Sequence, residues 1–311
     1  MIFASLNLTL SSYKACLLLF LFPLLFAAAC SPNPKSESRD ADYQKQIETW
    51  RGERIQGLTA PNGWLSLAGL FWLDEGENTF GSNKDNKIVF PSKAPDFMGS
   101  FFLNEESVSL KIKAGVQVFW KDSLISEAAM QADAKGQPPI FRYQSLNWNV
   151  LKRGVHYGIR LRDTLNETIT AFKGIEYYPV LESWKVAATF VPYDSLKILP
   201  FQNVLGMKIE ESVEGQLKFN LFGKAYALDV LDGGEKEFFV IFGDETNGEQ
   251  TYGGGKYLYA PRPDSEGQTF IDFNKSYTPP CGFTKYATCL LPPLQNRLPL
   301  SVTAGEKYHG H

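Results

Sequence analysis

The sequence predicts a mostly β protein with one N-terminal helix, a β-sandwich in the first half, and a second sandwich or barrel-like half behind it. Three observations carry this expectation. Short β-branched and aromatic runs such as "VSLKIKAGVQVFW", "WKVAATFV" and "KEFFVIFGD" are separated by Gly, Pro, Asn and Asp at the roughly 8–12-residue spacing of sandwiches and barrels. The 23 Phe and 14 Tyr suit broad pleated cores better than helical bundles. Helical periodicity appears once, where Tyr43, Ile47, Trp50 and Leu58 recur with charges between them, which places a helix over about 42–56.

The stretch "CLLLFLFPLLFAAAC" holds an uncharged apolar run from Leu17 to Ala29, interrupted by Pro23. It is well short of the roughly 20 apolar residues of a spanning helix and reads as a secretion signal. Ala27-Ala28-Ala29-Cys30 has the form of a bacterial lipobox, so Cys30 is expected to carry lipid, with plain secretion as the alternative. The expected location is the cell envelope, facing outside the cytoplasm, with the membrane as a partner through that lipid. Residues 1–30 are then the signal, 31–41 a Pro- and Ser-containing tether, 42–165 the helix and sandwich, and 166–311 a C-terminal β domain.

Charge gives no lead on a ligand. The chain has 31 basic and 34 acidic residues, and loss of Lys14 with the signal leaves 30 against 34, a net charge of −4. No long basic run stands out, which argues against nucleic acid as a partner. In the first half, "LDEGENTFGSNKDNKIVFPSKAPDFMGSFFLNEESVSLKIKAGVQVFW" has a cadence that resembles the outline of a forkhead-associated sandwich. Phosphothreonine readers of that type place an arginine where Phe80 stands and a Ser/His pair near Met98 and Gly99. Without those groups, the resemblance implies architecture alone.

Several chemical readings fail on their required residues. A serine or cysteine hydrolase needs a histidine base; His309 and His311 lie in a short tail, and His156 in "RGVHYGIR" alternates as a strand residue. No G-x-S-x-G elbow is present. In "QTYGGGKYLY", Lys256 precedes Tyr257 and an expected strand, so the glycines suit a crowded turn better than a phosphate loop. "GDETNGEQ" carries Asp244, Glu245, Asn247 and Glu249 around an Asn-Gly turn, without the twelve-residue calcium-loop pattern. No cofactor is expected.

The segment "NKSYTPPCGFTKYATCLLPPLQNRLPL" concentrates the remaining signal. Cys281 and Cys289 can close a disulfide loop or offer a reactive thiol near Lys285 or Arg297, whereas a zinc site lacks two further ligands, so no metal is expected. Asp272, Asn274, Tyr277, Thr284, Tyr286, Asn296, Arg297 and Glu306 gather around the pair. Prolines 279, 280, 292 and 293 stiffen the segment. One reading is a small-molecule or glycan-scale pocket, with Arg160, Trp184 and Tyr252 as further wall or orienting groups. A second is a hydrolase-like enzyme using Asp272, Glu306 or a thiolate. The third is a structural envelope protein, in which the segment covers a sheet edge and Arg297 pairs with Asp272 or Glu306.

The combination "PNGWLSLAGLFWLDEGENTFGS", "RGVHYGIRLRD", "FKGIEYYP", "TYGGGKYL", "DFNKSYTPPCGFTKYATCLLPPLQNRL" and "AGEK" resembles the bacterial family known as domain of unknown function 1684. Asp272, Asn274, Tyr277, Cys281, Thr284, Tyr286, Cys289, Asn296 and Arg297 match the family's pattern; Ser276, Thr278, Gly282, Lys285 and Leu290 depart from it. His156 stands where the pattern has arginine, which lowers it further as a base. The resemblance implies no activity. Members without export signals would hold both cysteines in a reducing cytoplasm, which implies a use for the pair besides a disulfide.

Overall fold

The structure is a computed structural model that describes residues 34–133 and 136–310. The signal segment and Cys30 lie outside the described residues.

Helix α1 (Pro34–Thr59) is longer than the apolar stripe alone indicates and begins inside the segment read as a tether. Proline is well suited to a first helical turn. Tyr43, Ile47 and Leu58 are buried along one face, as the spacing predicts.

Eleven strands follow in the first half: β1 (Leu67–Trp72), β2 (Gly76–Gly81), β3 (Ile88–Val89), β4 (Gly99–Asn104), β5 (Ser107–Ile112), β6 (Val118–Trp120), β7 (Ser123–Ile125), β8 (Glu127–Met130), β9 (Phe141–Tyr143), β10 (Leu146–Arg153) and β11 (His156–Asp163). They form a six-stranded sheet in the order β1-β11-β10-β9-β6-β7 and a five-stranded sheet in the order β3-β2-β4-β5-β8. Side chains from both sheets fill one core, in which Phe80, Phe101, Phe141 and Trp148 are fully buried. Period-two alternation along β10 sends Leu146, Trp148 and Val150 inward and leaves Asn147 and Asn149 on the outer face. Asn147 pairs with Arg162, and Asn149 with Arg160, on the neighbouring β11. The outer face of this sheet is therefore polar and cationic where the C-terminal half meets it.

A short helix α2 (Glu167–Ala171), capped by the Asn166 side chain, leads into the second half. There β12 (Lys185–Gln202), β13 (Lys208–Leu221), β14 (Lys224–Asp232), β15 (Glu237–Phe242), β16 (Lys256–Pro261) and β17 (Gln268–Asp272) form a sheet in the order β16-β15-β14-β13-β12-β17. The sheet curls until its edge strands β16 and β17 approach each other, so this half is barrel-like. Phe238, Phe242, Leu258 and Phe273 fill it. The Cys/Pro segment, with three short 3-10 turns and no strand of its own, wraps the barrel; Ala287 and Cys289 pack on Phe201, Val213, Ile241 and Tyr257.

Glycine earns its place at 255. Its φ is +89°, and a Cβ there would stand 2.3 Å from Cγ of Pro292 and 2.8 Å from the carbonyl oxygen of Phe242. The triple glycine is a crowded turn that lets the Pro-Pro corner close against the barrel. Beyond it, the ammonium of Lys256 is buried 3.0 Å from Asp244 and donates to the carbonyl of Val302 at 2.7 Å. Asp244 also accepts from the amide and hydroxyl of Thr246. Of the carboxylates that drew attention in "GDETNGEQ", Asp244 is thus held within the protein, whereas Glu245 and Glu249 are exposed.

Candidate functional site

Helix α1 and the Cys/Pro segment face each other across the barrel rim, and much of the polar cluster picked out in the sequence serves that junction. Asp272 is buried and accepts from the hydroxyl of Tyr43 at 2.8 Å and from the amide of Asn274 at 3.1 Å. The Asn274 side chain bridges Tyr43 and both backbone groups of Leu181. Asn296 clamps β14 to β15, accepting from the Asp229 amide and donating to the carbonyls of Asp229 and Ile241. Glu306 accepts from Arg54 Nε at 2.9 Å and from the Thr278 amide at 2.7 Å. These four side chains are occupied and stand away from open space. Trp184 is likewise a core residue, edge-on to Phe273.

Arg297 does not pair with Asp272 or Glu306, as the structural reading required. It is exposed, because Tyr43 and Arg54 of the helix reach those carboxylates first. Tyr252 packs edge-on against Tyr308, and Thr284 and Tyr286 border a separate shallow cavity near α2.

Three of the expected residues, Arg160, Tyr277 and Cys289, do line a cleft. It consists of a cavity of about 480 Å³ walled by Trp50, Arg54, Tyr259 and Tyr277, and one of about 250 Å³ walled by Arg153, Arg160, Glu211 and Cys289. Trp64, Tyr257 and Pro280 border both. Tyr259 and Tyr277 are stacked at 6.3 Å between ring centroids, and the Arg54 guanidinium lies 4.5 Å over the Tyr277 ring. Sequence reasoning missed Trp64, Glu211 and Tyr257 as wall residues. Trp64 sits in "PNGWLSL" and Tyr257 in "GGGKYLY", both quoted for the family resemblance, and that was the available signal.

The cysteines meet at the edge of this cleft. The amide of Cys281 donates to Sγ of Cys289 at 3.1 Å, and the amide of Cys289 donates to Sγ of Cys281 at 3.3 Å; both are free thiols in the structure. The hydrogen bond from the Cys289 thiol lowers the pKa of Cys281, helped by the Cys289 amide and Arg160 and opposed by burial. Cys289 is pushed up, first by that shared hydrogen bond and then by burial and the charge of its neighbour. Glu211 is also pushed up by burial, with Arg153 opposing. Among the described residues, no group of three His, Cys, Asp or Glu side chains is arranged to hold a metal ion.

Known proteins match parts of this chain. A solution NMR structure of an uncharacterised protein from gene locus rrnAC0354 of Haloarcula marismortui is 29% identical, covering 44% of this chain and 78% of its own, with a TM-score of 0.38. A crystal structure of Rad53 1–466 in complex with AMP-PNP matches at 11% identity over 63% of this chain and 46% of that one, with a TM-score of 0.15. No curated protein matches. A family model described as protein of unknown function (DUF1684) matches residues 170–307, which hold the barrel, the Cys/Pro segment and Glu306.

Proposed function

We propose that this chain is a lipid-anchored, extracytoplasmic binding protein whose aromatic cleft takes a small polar organic ligand of glycan scale. The observation that carries the reading is the cleft itself. Trp64 and Tyr257 border both of its cavities, Tyr259 and Tyr277 stack on one wall, and Arg54 and Arg160 border the two lobes. Flat rings suit the C–H faces of a sugar, and a few fixed polar groups orient its hydroxyl or carboxylate substituents. Cys30 supplies the anchor, and in an oxidising compartment Cys281 and Cys289 close to a disulfide that stiffens the cleft's edge.

The test is a tryptophan-fluorescence titration of the full-length protein in detergent with neutral and acidic mono- and disaccharides, beside Trp64→Ala. Saturable binding of one class, weakened about tenfold or more in the variant, which corresponds to about 1.4 kcal/mol, supports the reading. A panel in which no sugar binds the unaltered protein sinks it. Mass analysis of protein from the membrane fraction, alkylated without reductant, reads both the acyl chains on Cys30 and the state of the cysteine pair.

One observation favours an enzyme as the second reading: Glu211, its carboxyl raised by burial, shares the smaller cavity with Cys289 and Arg153. A raised carboxyl in a cleft suits a general acid. Turnover of a bound saccharide that disappears in Glu211→Gln, with binding retained, would favour this reading over simple binding.

A further inference from the structure

Arg160 is 6% exposed, and its Nε is buried with no hydrogen-bond partner among the described residues. Its aromatic neighbour, Trp64, presents a ring face 5.5 Å away and no strong acceptor. Two residues along β11, Arg162 donates one bond, to Asn149 Oδ1 at 3.1 Å, and keeps its Nε unpartnered. Burying a guanidinium without a matched anion costs several kcal/mol, and the usual resolution is a counter-charge.

Two carboxylates stand near it and neither is hydrogen-bonded to it among the described residues: Glu211 borders the smaller cleft cavity with it, and Asp133, whose charge favours the guanidinium, has both oxygens taken by Arg153 in a two-pronged pair at 3.0 and 2.9 Å. Cys289, on the cleft side of Arg160, keeps its proton because burial and its partner thiol both raise it. The guanidinium of Arg160 is itself pulled down to about 10, first by burial and then by repulsion from Arg153 and Arg162.

The space beside these groups has both polar and apolar walls. A cavity of about 380 Å³, distinct from the two lobes of the aromatic cleft, is lined by Arg160, Arg162, Asn147 and Asn149, by the Asp133 carboxylate that Arg153 already pairs, and by the apolar Ile140. The pairing of β10 with β11 sets Asn147 against Arg162 and Asn149 against Arg160, so two guanidiniums and two amides share one face of a rigid sheet. Asn149 is held by its own donation to the carbonyl of Val150 and by Arg162, which fixes the array before any ligand arrives.

We propose that this cavity is an oxyanion site, in which Arg160 and Arg162 bind a carboxylate or phosphate group and the amides of Asn147 and Asn149 set its orientation. Guanidiniums match the paired oxygens of either group, and a site on strands holds them at constant spacing. The site does not depend on what fills the aromatic cleft. Arg160 borders both, so an acidic ligand long enough to reach past it would place its charged end here.

The test is calorimetric titration of the full-length protein in detergent, at constant ionic strength in chloride, with inorganic phosphate and separately with acetate. Saturable binding of either is expected, about tenfold or more weaker in Arg162→Gln and in Arg160→Gln, and unchanged in Lys218→Gln, an exposed residue of β13 in the other half. Which probe binds more tightly identifies the phosphate or the carboxylate source. If Arg160→Gln does not fold, Arg162→Gln and Asn147→Ala decide. Binding of neither probe beyond chloride, or equal binding by the unaltered protein and Arg162→Gln, overturns the proposal. Saccharide binding retained in the same preparations shows that such a failure belongs to this site alone.

Discussion

Arg54 on the N-terminal helix donates Nε to the buried carboxylate of Glu306 at 2.9 Å, and its Nη2 donates to the carbonyl of Thr278 at 2.8 Å. One side chain therefore ties the first element of the described chain to both the Cys/Pro segment and the last residues of the fold.

Removing one partner of such a pair leaves the other charge buried, which typically costs 3–5 kcal/mol. Glu306 has no side-chain exposure, and Arg54 has 14%. Arg54→Ala is expected to lower unfolding free energy by about 3–5 kcal/mol in urea melts, whereas Arg54→Met combined with Glu306→Gln should lose distinctly less, because no orphan charge remains. A single-variant loss below about 1 kcal/mol would show that the helix is not latched by this contact.

Gly255 makes a separate test of how the barrel meets the Pro-Pro corner. Gly255→Ala places a Cβ at positive φ and 2.3 Å from Pro292 Cγ. Left-handed strain adds about 1–2 kcal/mol, and overpacking about 1–3 more. Gly253→Ala meets nothing nearer than 3.7 Å and has ordinary φ, so it serves as the matched control and should be close to neutral in a thermal melt. Equal shifts in the two variants would contradict the crowded-turn reading.

The β architecture was legible because it depends on local pattern: alternation along β10 and β11 and the helical stripe at Tyr43 and Ile47 hold whatever the rest of the chain does. The Cys/Pro segment was also legible as a place where conformation is constrained. What polarity could not reveal was use. Asp272 and Glu306 look alike in sequence to site carboxylates, yet their partners, Tyr43 and Arg54, lie 229 and 252 residues away. Only the tertiary arrangement shows that a helix consumes them. Conversely, Glu211 and Tyr257 stand in ordinary strand patterns and acquire a cleft only when the curled sheet, Trp64 and Pro280 converge.

Asp163, at the end of β11, governs a window of acid sensitivity. Burial works against its charge, but Lys93 at 2.5 Å, Ser145 and the Leu165 amide outweigh burial and hold the carboxyl below its ordinary value. A depressed native value means that the unfolded chain binds the proton more readily. The stabilisation is therefore full above the unfolded carboxylate value, near 3.9, and is lost as pH falls through the native value. Lys93→Met should lose stability at neutral pH and show a shallower decline between about pH 5 and 2. Parallel curves for the two proteins would remove Lys93 from the account.

The cysteine pair allows the sharpest pH test, because two thiols that share a hydrogen bond titrate as a unit. Cys281 is partly exposed and favoured as thiolate, whereas Cys289 is buried and retains its proton. With the pair kept reduced, iodoacetamide is expected to label Cys281 well ahead of Cys289, and the rate at Cys281 should reach half its plateau below the midpoint of free cysteine. Replacing Cys289 with Ala removes the leading cause of that shift, so the midpoint at Cys281 should rise. Arg160→Gln should raise it by less, since the guanidinium is the weakest of the contributions. Peptide mass analysis of the labelled sites separates the two cysteines. Equal labelling of both, or a midpoint unmoved by Cys289→Ala, would mean that the backbone contacts between them do not translate into a shared proton, and the pair would then act as a simple packing element beneath the cleft.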